Sequence, residues 1–296
     1  MPSEAQPAWP PLEQLEQALI QNIETGEIEL PLLPQAASQV MVLASDPAAD
    51  AAKLSTLIHQ DQALAAHVLR IANSPAYMPR SPVVSLQHAV AMLGITLLSE
   101  IAFTASLKSG AFQIPGHEED VKRLWRHSLA SGAYAKEVAR MRRVNVESAY
   151  LCGLLHEIGK PVVLRIITTI AQKRSNDWVK ALAAILDNKS HIKTLIEGYH
   201  TRVGILIADK WRLPKQVAEA IQYYGEYEHA TAFRQECMLT FVADQLARHL
   251  LTPDEMPEDS LRDHPVFAEL NLYPQDVDKL LATKDQVLTI VNAMSL

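Results

Sequence analysis

Apolar residues along most of this chain recur three or four positions apart, the spacing that lines one face of an α-helix. Leu12, Leu15, Leu19 and Ile23 mark the first such face, and Gly26 ends it. Leu30-Pro31-Leu32-Leu33-Pro34 reads as an extended linker, because each proline disfavours helix in the residue before it. Helices are predicted over 35–44, closed by Ser45-Asp46-Pro47, over 51–60, capped by Asp50, and over 62–72, capped by Asp61. A turn over 73–77 and an open loop with Pro79 and Pro82 follow. Ser85 then opens a helix over 86–93, Gly94 breaks it, and Thr96 restarts it as far as Leu107.

Gln113-Ile114-Pro115-Gly116 is the best internal boundary. Beyond it the pattern predicts helices over 118–140, 146–157, 161–172, 178–186, 191–197 and 201–211. Leu213-Pro214 opens a further helix over 217–224, and another spans 237–251. A polar linker over 252–257 precedes two last helices, 261–270 and 275–293. Strand-like alternation is scarce, so the expected fold class is all-α. The expected organisation is an N-terminal helix and linker (1–29), an N-terminal helical subdomain (30–112), a second helical subdomain (113–251) and a C-terminal helical cap (252–296).

Composition narrows the function classes. The chain has 296 residues, of which 48% are hydrophobic and 21% charged, enough apolar material for a sizeable core. A net charge of −7 argues against broad electrostatic binding to nucleic acid or to an anionic membrane surface. The basic run Arg140, Arg142, Arg143 reads as a solvated helix end. Two cysteines, Cys152 and Cys237, make neither a disulfide framework nor a four-thiolate zinc site, and Cys152 reads as a small buried hydrophobe. No signal peptide and no apolar run of about 18 residues is expected, so the predicted location is cytoplasmic.

The chemistry concentrates in Gly153-Leu154-Leu155-His156-Glu157-Ile158-Gly159-Lys160. An imidazole beside a carboxylate at a helix end suits a divalent ion such as Mn, Fe, Zn or Mg. Three more residues are candidates to converge on that pair: His127, His200 and Asp244. Asp244 is a lone acid in Phe241-Val242-Ala243-Asp244-Gln245-Leu246-Ala247, a segment that should be largely buried. A buried carboxylate is unfavourable unless it is paired or metal-bound. Each histidine, taken alone, reads more readily as an ordinary hydrogen-bonded helix residue than as a ligand.

The ordered motifs Leu124-Trp125-Arg126-His127-Ser128, Gly153 to Lys160, Glu197-Gly198-Tyr199-His200, Trp211-Arg212-Leu213-Pro214 and Ala243-Asp244 resemble the HDOD (HD-related output domain) family. Leu32-Leu33-Pro34, Leu69-Arg70-Ile71-Ala72-Asn73-Ser74 and His88-Ala89-Val90-Ala91-Met92-Leu93-Gly94 resemble its N-terminal motifs. The resemblance implies an HD-domain-like helical bundle with an additional N-terminal helical subdomain, related to HD and HD-GYP phosphohydrolases. It implies a metal set of His127, His156, Glu157 and Asp244, with His200 nearby, for a divalent ion that also includes Ni among the candidates. Lys160 resembles the lysine that follows the enzymatic dyad, where it would face a phosphate. It reads equally as a charge complementing a helix C-terminus.

Two departures from the enzymatic pattern matter. Glu157 stands where enzymes carry aspartate, and its extra methylene displaces the carboxylate by ~1.5 Å. Tyr223-Tyr224 stands where HD-GYP proteins carry adjacent histidines, and a phenol is a poor replacement for neutral imidazole. The expected function is a bacterial signal-transduction module, catalytically degenerate, that relays a signal to a partner protein or through a nucleotide or phosphate ligand. The alternative is a metal-dependent phosphohydrolase acting on a nucleotide or a phosphodiester such as cyclic-di-GMP.

Overall fold

In the computed structural model of the protein, the described residues are 12–25, 30–44, 51–110, 112, 114–172 and 189–295. Every regular element among them is helical. The Gly26 stop, the Ser45-Asp46-Pro47 closure, the Asp50 cap, Gln113 and the helix expected over 178–186 lie outside the described residues.

The first helix, α1 (Leu12–Thr25), buries Leu15, Leu19 and Ile23 of its predicted apolar face. Four helices then form an N-terminal bundle: α2 (Gln35–Ala44), α3 (Ala51–His59), α4 (Gln62–Ala72) and α5 (Leu86–Gly110). Asp61 caps α4 by accepting the Leu64 N–H at 3.0 Å. The long helix α5 packs against α2, α3 and α4. Its apolar stretch over 86–108 is long enough to cross a membrane by composition. Here it is the bundle's central element, and Gly94 kinks it with a φ of 80° that favours glycine.

Asn73 clamps the loop between α4 and α5. Its amide donates to the carbonyls of Leu69 and Val83 at 2.8 Å each, and its carbonyl accepts the Val83 N–H at 2.8 Å. Replacing Asn73 with alanine removes all three bonds and should lower stability by about 2 kcal/mol, read as a fall in the urea midpoint. A loss under ~0.5 kcal/mol would show that the clamp is not needed to close the loop.

The second half is built on α6 (Glu118–Arg142), which packs against α7 (Val146–Leu155) and α11 (Arg234–Leu251). Glu118, Glu119 and Asp120 complement the dipole at its start, and Arg143, with a φ of 55°, closes it. Between these helices in the chain come α8 (Gly159–Gln172), α9 (Lys189–Trp211), α10 (Lys215–Tyr223) and a 3₁₀ turn over Tyr224–His229. Helix α8 lies against α9, and α10 against α7, α9 and α11. Helix α1 docks here, on α8 and α9, with Tyr199 donating to Glu16 at 2.6 Å. The linker after α1 is tied to the end of α9: Trp211 donates to the Pro31 carbonyl at 2.8 Å and Lys210 to that of Leu30 at 2.9 Å.

Several element ends differ from the pattern-based expectation. The helix expected over 146–157 stops at Leu155, and residues 156–158 form a turn before α8. The two helices expected over 191–197 and 201–211 are one, because an exposed glycine, Gly198, weakens a helix without breaking it. The expected helix 261–270 is two short ones, α12 (Glu258–Arg262) and α13 (Pro265–Glu269), since Pro265 suits a first helical turn. The expected helix 275–293 is likewise two, α14 (Pro274–Ala282) and α15 (Lys284–Ser295), and α15 packs on α6 and reaches α5.

Candidate metal centre

The turn between α7 and α8 presents His156 and Glu157 to the faces of α6 and α11. Asn145 starts α7 by accepting the Ser148 N–H at 2.8 Å, and the helix runs straight into the pair. His156 is fully buried, and Glu157 and Asp244 are nearly so. One ligand-type atom from each of His127, His156, Glu157 and Asp244 lies within 4.8 Å of the others. The lone acid in the apolar α11 segment is thus brought to the histidine–glutamate pair.

Hydrogen bonds orient each member. His156 Nδ1 donates to the Gly153 carbonyl at 2.8 Å, which turns Nε2 toward Asp244 Oδ1, 3.3 Å away. His127 Nε2 lies 2.9 Å from the same Oδ1 and 3.6 Å from Glu157 Oε2. The outer carboxylate oxygens are held from the other side. Asp244 Oδ2 accepts Arg248 Nε and Gln245 Nε2, each at 2.8 Å. Glu157 Oε1 accepts Lys160 Nζ at 2.6 Å and Arg248 Nη2 at 3.0 Å. Two imidazoles and two inward carboxylate oxygens are a donor set that suits a divalent ion in kind and in placement.

The charges follow from this arrangement. Burial pushes the Glu157 carboxyl up, but His127, Lys160 and His156 together pull it well below its ordinary value. Asp244 behaves alike: burial raises it, and the hydrogen bonds from His127 and His156 more than reverse that. Burial lowers His127, yet Glu157 and Asp244 hold it above the ordinary imidazole value. Burial would discharge Lys160, but Glu157 and Glu197 keep it charged. The unfolded chain's carboxyls take up protons near pH 4, whereas Glu157 and Asp244 stay ionised in the fold. The stability they supply is therefore present above about pH 4 and lost as pH falls through their depressed values. Acid unfolding followed by circular dichroism should show a shallower loss below about pH 4 in Asp244→Asn than in the native protein. An unchanged acid slope would sink this assignment.

Two expected roles change. His200 is outside the four-ligand group. Its Nδ1 meets the Glu197 carbonyl at 3.0 Å, and the Tyr224 hydroxyl, 3.5 Å from its Nε2, stands between it and Glu157. Lys160 is not at a helix C-terminus: it lies in the first turn of α8, buried between Glu157 and Glu197, whose Oε1 is 2.7 Å away. Tyr224 is edge-on to His156 with ring centres 4.6 Å apart, and its hydroxyl donates to Glu157 Oε1 at 3.3 Å. Burial, with Glu157 and Asp244 nearby, holds this phenol protonated. Arg248 and Glu197 are the contributors that sequence reasoning missed. Arg248 follows Asp244 by four residues, one helical turn, and that spacing was the available signal.

The described residues thus form an all-helical bundle with a buried histidine–acid cluster at a helix-to-helix turn. The HDOD domain model matches residues 30–227, and the chain belongs to the HDOD family. The matched span ends before α11, which supplies Asp244 and Arg248. Among solved structures, a protein of Shewanella amazonensis provisionally named a metal-dependent phosphohydrolase is similar at a TM-score of 0.72 and 20% identity, over 96% of this chain and 99% of that one. An HDOD domain protein of unknown function from Geobacter sulfurreducens is similar at 0.68 and 23%, over 96% and 98%. A Marinobacter aquaeolei protein provisionally named for signal transduction gives 0.67 and 22%, over 99% and 68%. At these identities the likeness establishes the fold. An uncharacterized protein of Treponema pallidum is 23% identical over 207 residues, which take in 68% of this chain and 39% of that protein's length.

Proposed function

We propose that this HDOD protein is a signalling module that does not turn over substrate and relays a signal to a partner protein through its helical surface. The observation that carries the proposal is Tyr224. Its neutral phenol lies edge-on against His156 and touches Glu157, and it belongs to the Tyr223-Tyr224 pair that stands at the place in the sequence where HD-GYP proteins carry adjacent histidines. A protonated phenol is a weak ligand for a second ion. Burial of the cluster supports the same reading, since a phosphoester must reach the inner donor atoms to react. Lys160, the cation that would meet a phosphate, is already engaged by two carboxylates.

A second reading, a metal-dependent phosphohydrolase, is favoured by the four converging donor atoms. A divalent ion held there by His127, His156, Glu157 and Asp244 would polarise a phosphoryl oxygen and lower the pKa of a bound water. The ion would be Mn, Fe, Mg, Ni or Zn, and the substrate a nucleotide or phosphodiester. One assay separates the two readings. The purified protein is incubated with each of these ions and with bis(p-nitrophenyl) phosphate or cyclic-di-GMP. No hydrolysis above the level of a His156→Ala variant is expected. Turnover that disappears in His156→Ala would overturn the module reading and support the enzyme.

A further inference from the structure

The cluster is complete in donor atoms and already balanced in charge. Glu157 and Asp244 bring two negative charges into a site from which water is nearly excluded. Arg248 spans both of them, with Nε on Asp244 and Nη2 on Glu157, and Lys160 adds a second cation at 2.6 Å from Glu157. Two buried carboxylates therefore face two fixed cations before any ion arrives. Divalent ions are held in proportion to the ligand charge that surrounds them, and here that charge is cancelled. An arriving ion would bring two further positive charges close to the buried Lys160 ammonium, where screening is weak, and to the Arg248 guanidinium, whose side chain is 34% exposed and so partly screened. Glu197, the remaining acid, is 42% exposed in its side chain and offsets this poorly.

We propose that Arg248, assisted by Lys160, is the cluster's built-in counter-cation: a specificity-determining residue that sets the His127–His156–Glu157–Asp244 group against divalent metal ions while leaving its donor geometry in place. The inference rests on the non-catalytic reading above. The opposite role is equally concrete, because a guanidinium that holds two carboxylates in position would strengthen a metal site. The two roles predict opposite signs, and charge can be separated from positioning by the choice of variant. Arg248→Gln removes the charge and keeps an amide donor. Arg248→Lys keeps the charge and loses the two-pronged reach.

Calorimetric titration of the purified full chain with MnCl₂ reads the outcome directly and needs no activity. Arg248→Gln is expected to bind Mn²⁺ roughly 10-fold more tightly than the native protein, with Arg248→Lys close to native. Equal or weaker binding by a folded Arg248→Gln variant overturns the proposal. So does a native protein that holds stoichiometric metal which Arg248→Gln loses, since Arg248 would then be a positioning residue for the ion. If Arg248→Gln does not fold alone, refolding on added Mn²⁺, followed by circular dichroism, supports the proposal, and failure to refold counts against it. Lys160→Gln removes the other cation and should shift Mn²⁺ affinity in the same direction. Hydrolysis by the native protein would strike at the non-catalytic reading, whereas these titrations judge the charge assignment separately.

Discussion

Gly159→Ala is expected to destabilise the protein by roughly 3–5 kcal/mol, at or above the upper end for overpacking. Gly159 opens α8 where that helix crosses α9. A methyl group there would stand 1.9 Å from the His200 carbonyl oxygen and 2.9 Å from the Gly204 backbone nitrogen. Both obstacles are backbone, so no side-chain rotation relieves them. Helix α8 would have to draw away from α9, which also pulls Lys160 from Glu197 and disturbs Glu157. Gly198→Ala on the same helix α9 is the matched control: its new methyl group meets nothing within 4 Å. Exchanging an exposed helical glycine for alanine should stabilise by about 0.5–1 kcal/mol. Urea unfolding of both variants checks the pair, and a Gly159→Ala loss below ~1 kcal/mol would rule out the tight crossing.

Asp244→Ala should cost about 2–4 kcal/mol, because it removes a buried carboxylate from the partly exposed Arg248 and the nearly buried His127, with solvent screening reducing the Arg248 share. The carboxylate accepts from Gln245 and Arg248, and its Oδ1 lies 2.9 Å from His127 Nε2 and 3.3 Å from His156 Nε2. Its removal leaves Glu157 alone against Arg248 and Lys160. Adding Arg248→Met to Asp244→Ala removes the stranded guanidinium and should recover part of the loss, a non-additivity of about 0.5–3 kcal/mol. Denaturant unfolding of the two single variants and the double variant measures it. Strict additivity would mean that Asp244 and Arg248 do not act as one ion-paired unit.

Much of the fold was legible because helix formation is read from local spacing. The buried stripe Leu15, Leu19, Ile23, the Asp61 cap and the Gly94 kink each follow from residues within a turn or two of one another. Errors gathered where a local signal was weak or ambiguous. Gly198 lowers helix propensity without forcing an end, and Pro265 begins a helix as readily as it ends one. The candidate ligands were legible for a different reason. His156 and Glu157 are neighbours in the chain, and Asp244 is conspicuous as an acid among apolar residues.

The sequence by itself determined an all-helical chain, the HDOD motifs and the residues able to form a metal cluster. Only the tertiary structure decided how those residues are used. It brings Arg248 onto Glu157 across 91 positions of chain, sets the Tyr224 hydroxyl between Glu157 and His200, and buries Lys160 between two carboxylates. Helical periodicity reports which face of a helix is apolar, and it carries no information on which distant helix that face will meet. The rotation and closeness of α8, α9 and α11 at their crossings, down to the missing side chain of Gly159, set the charge balance around His156 and Glu157.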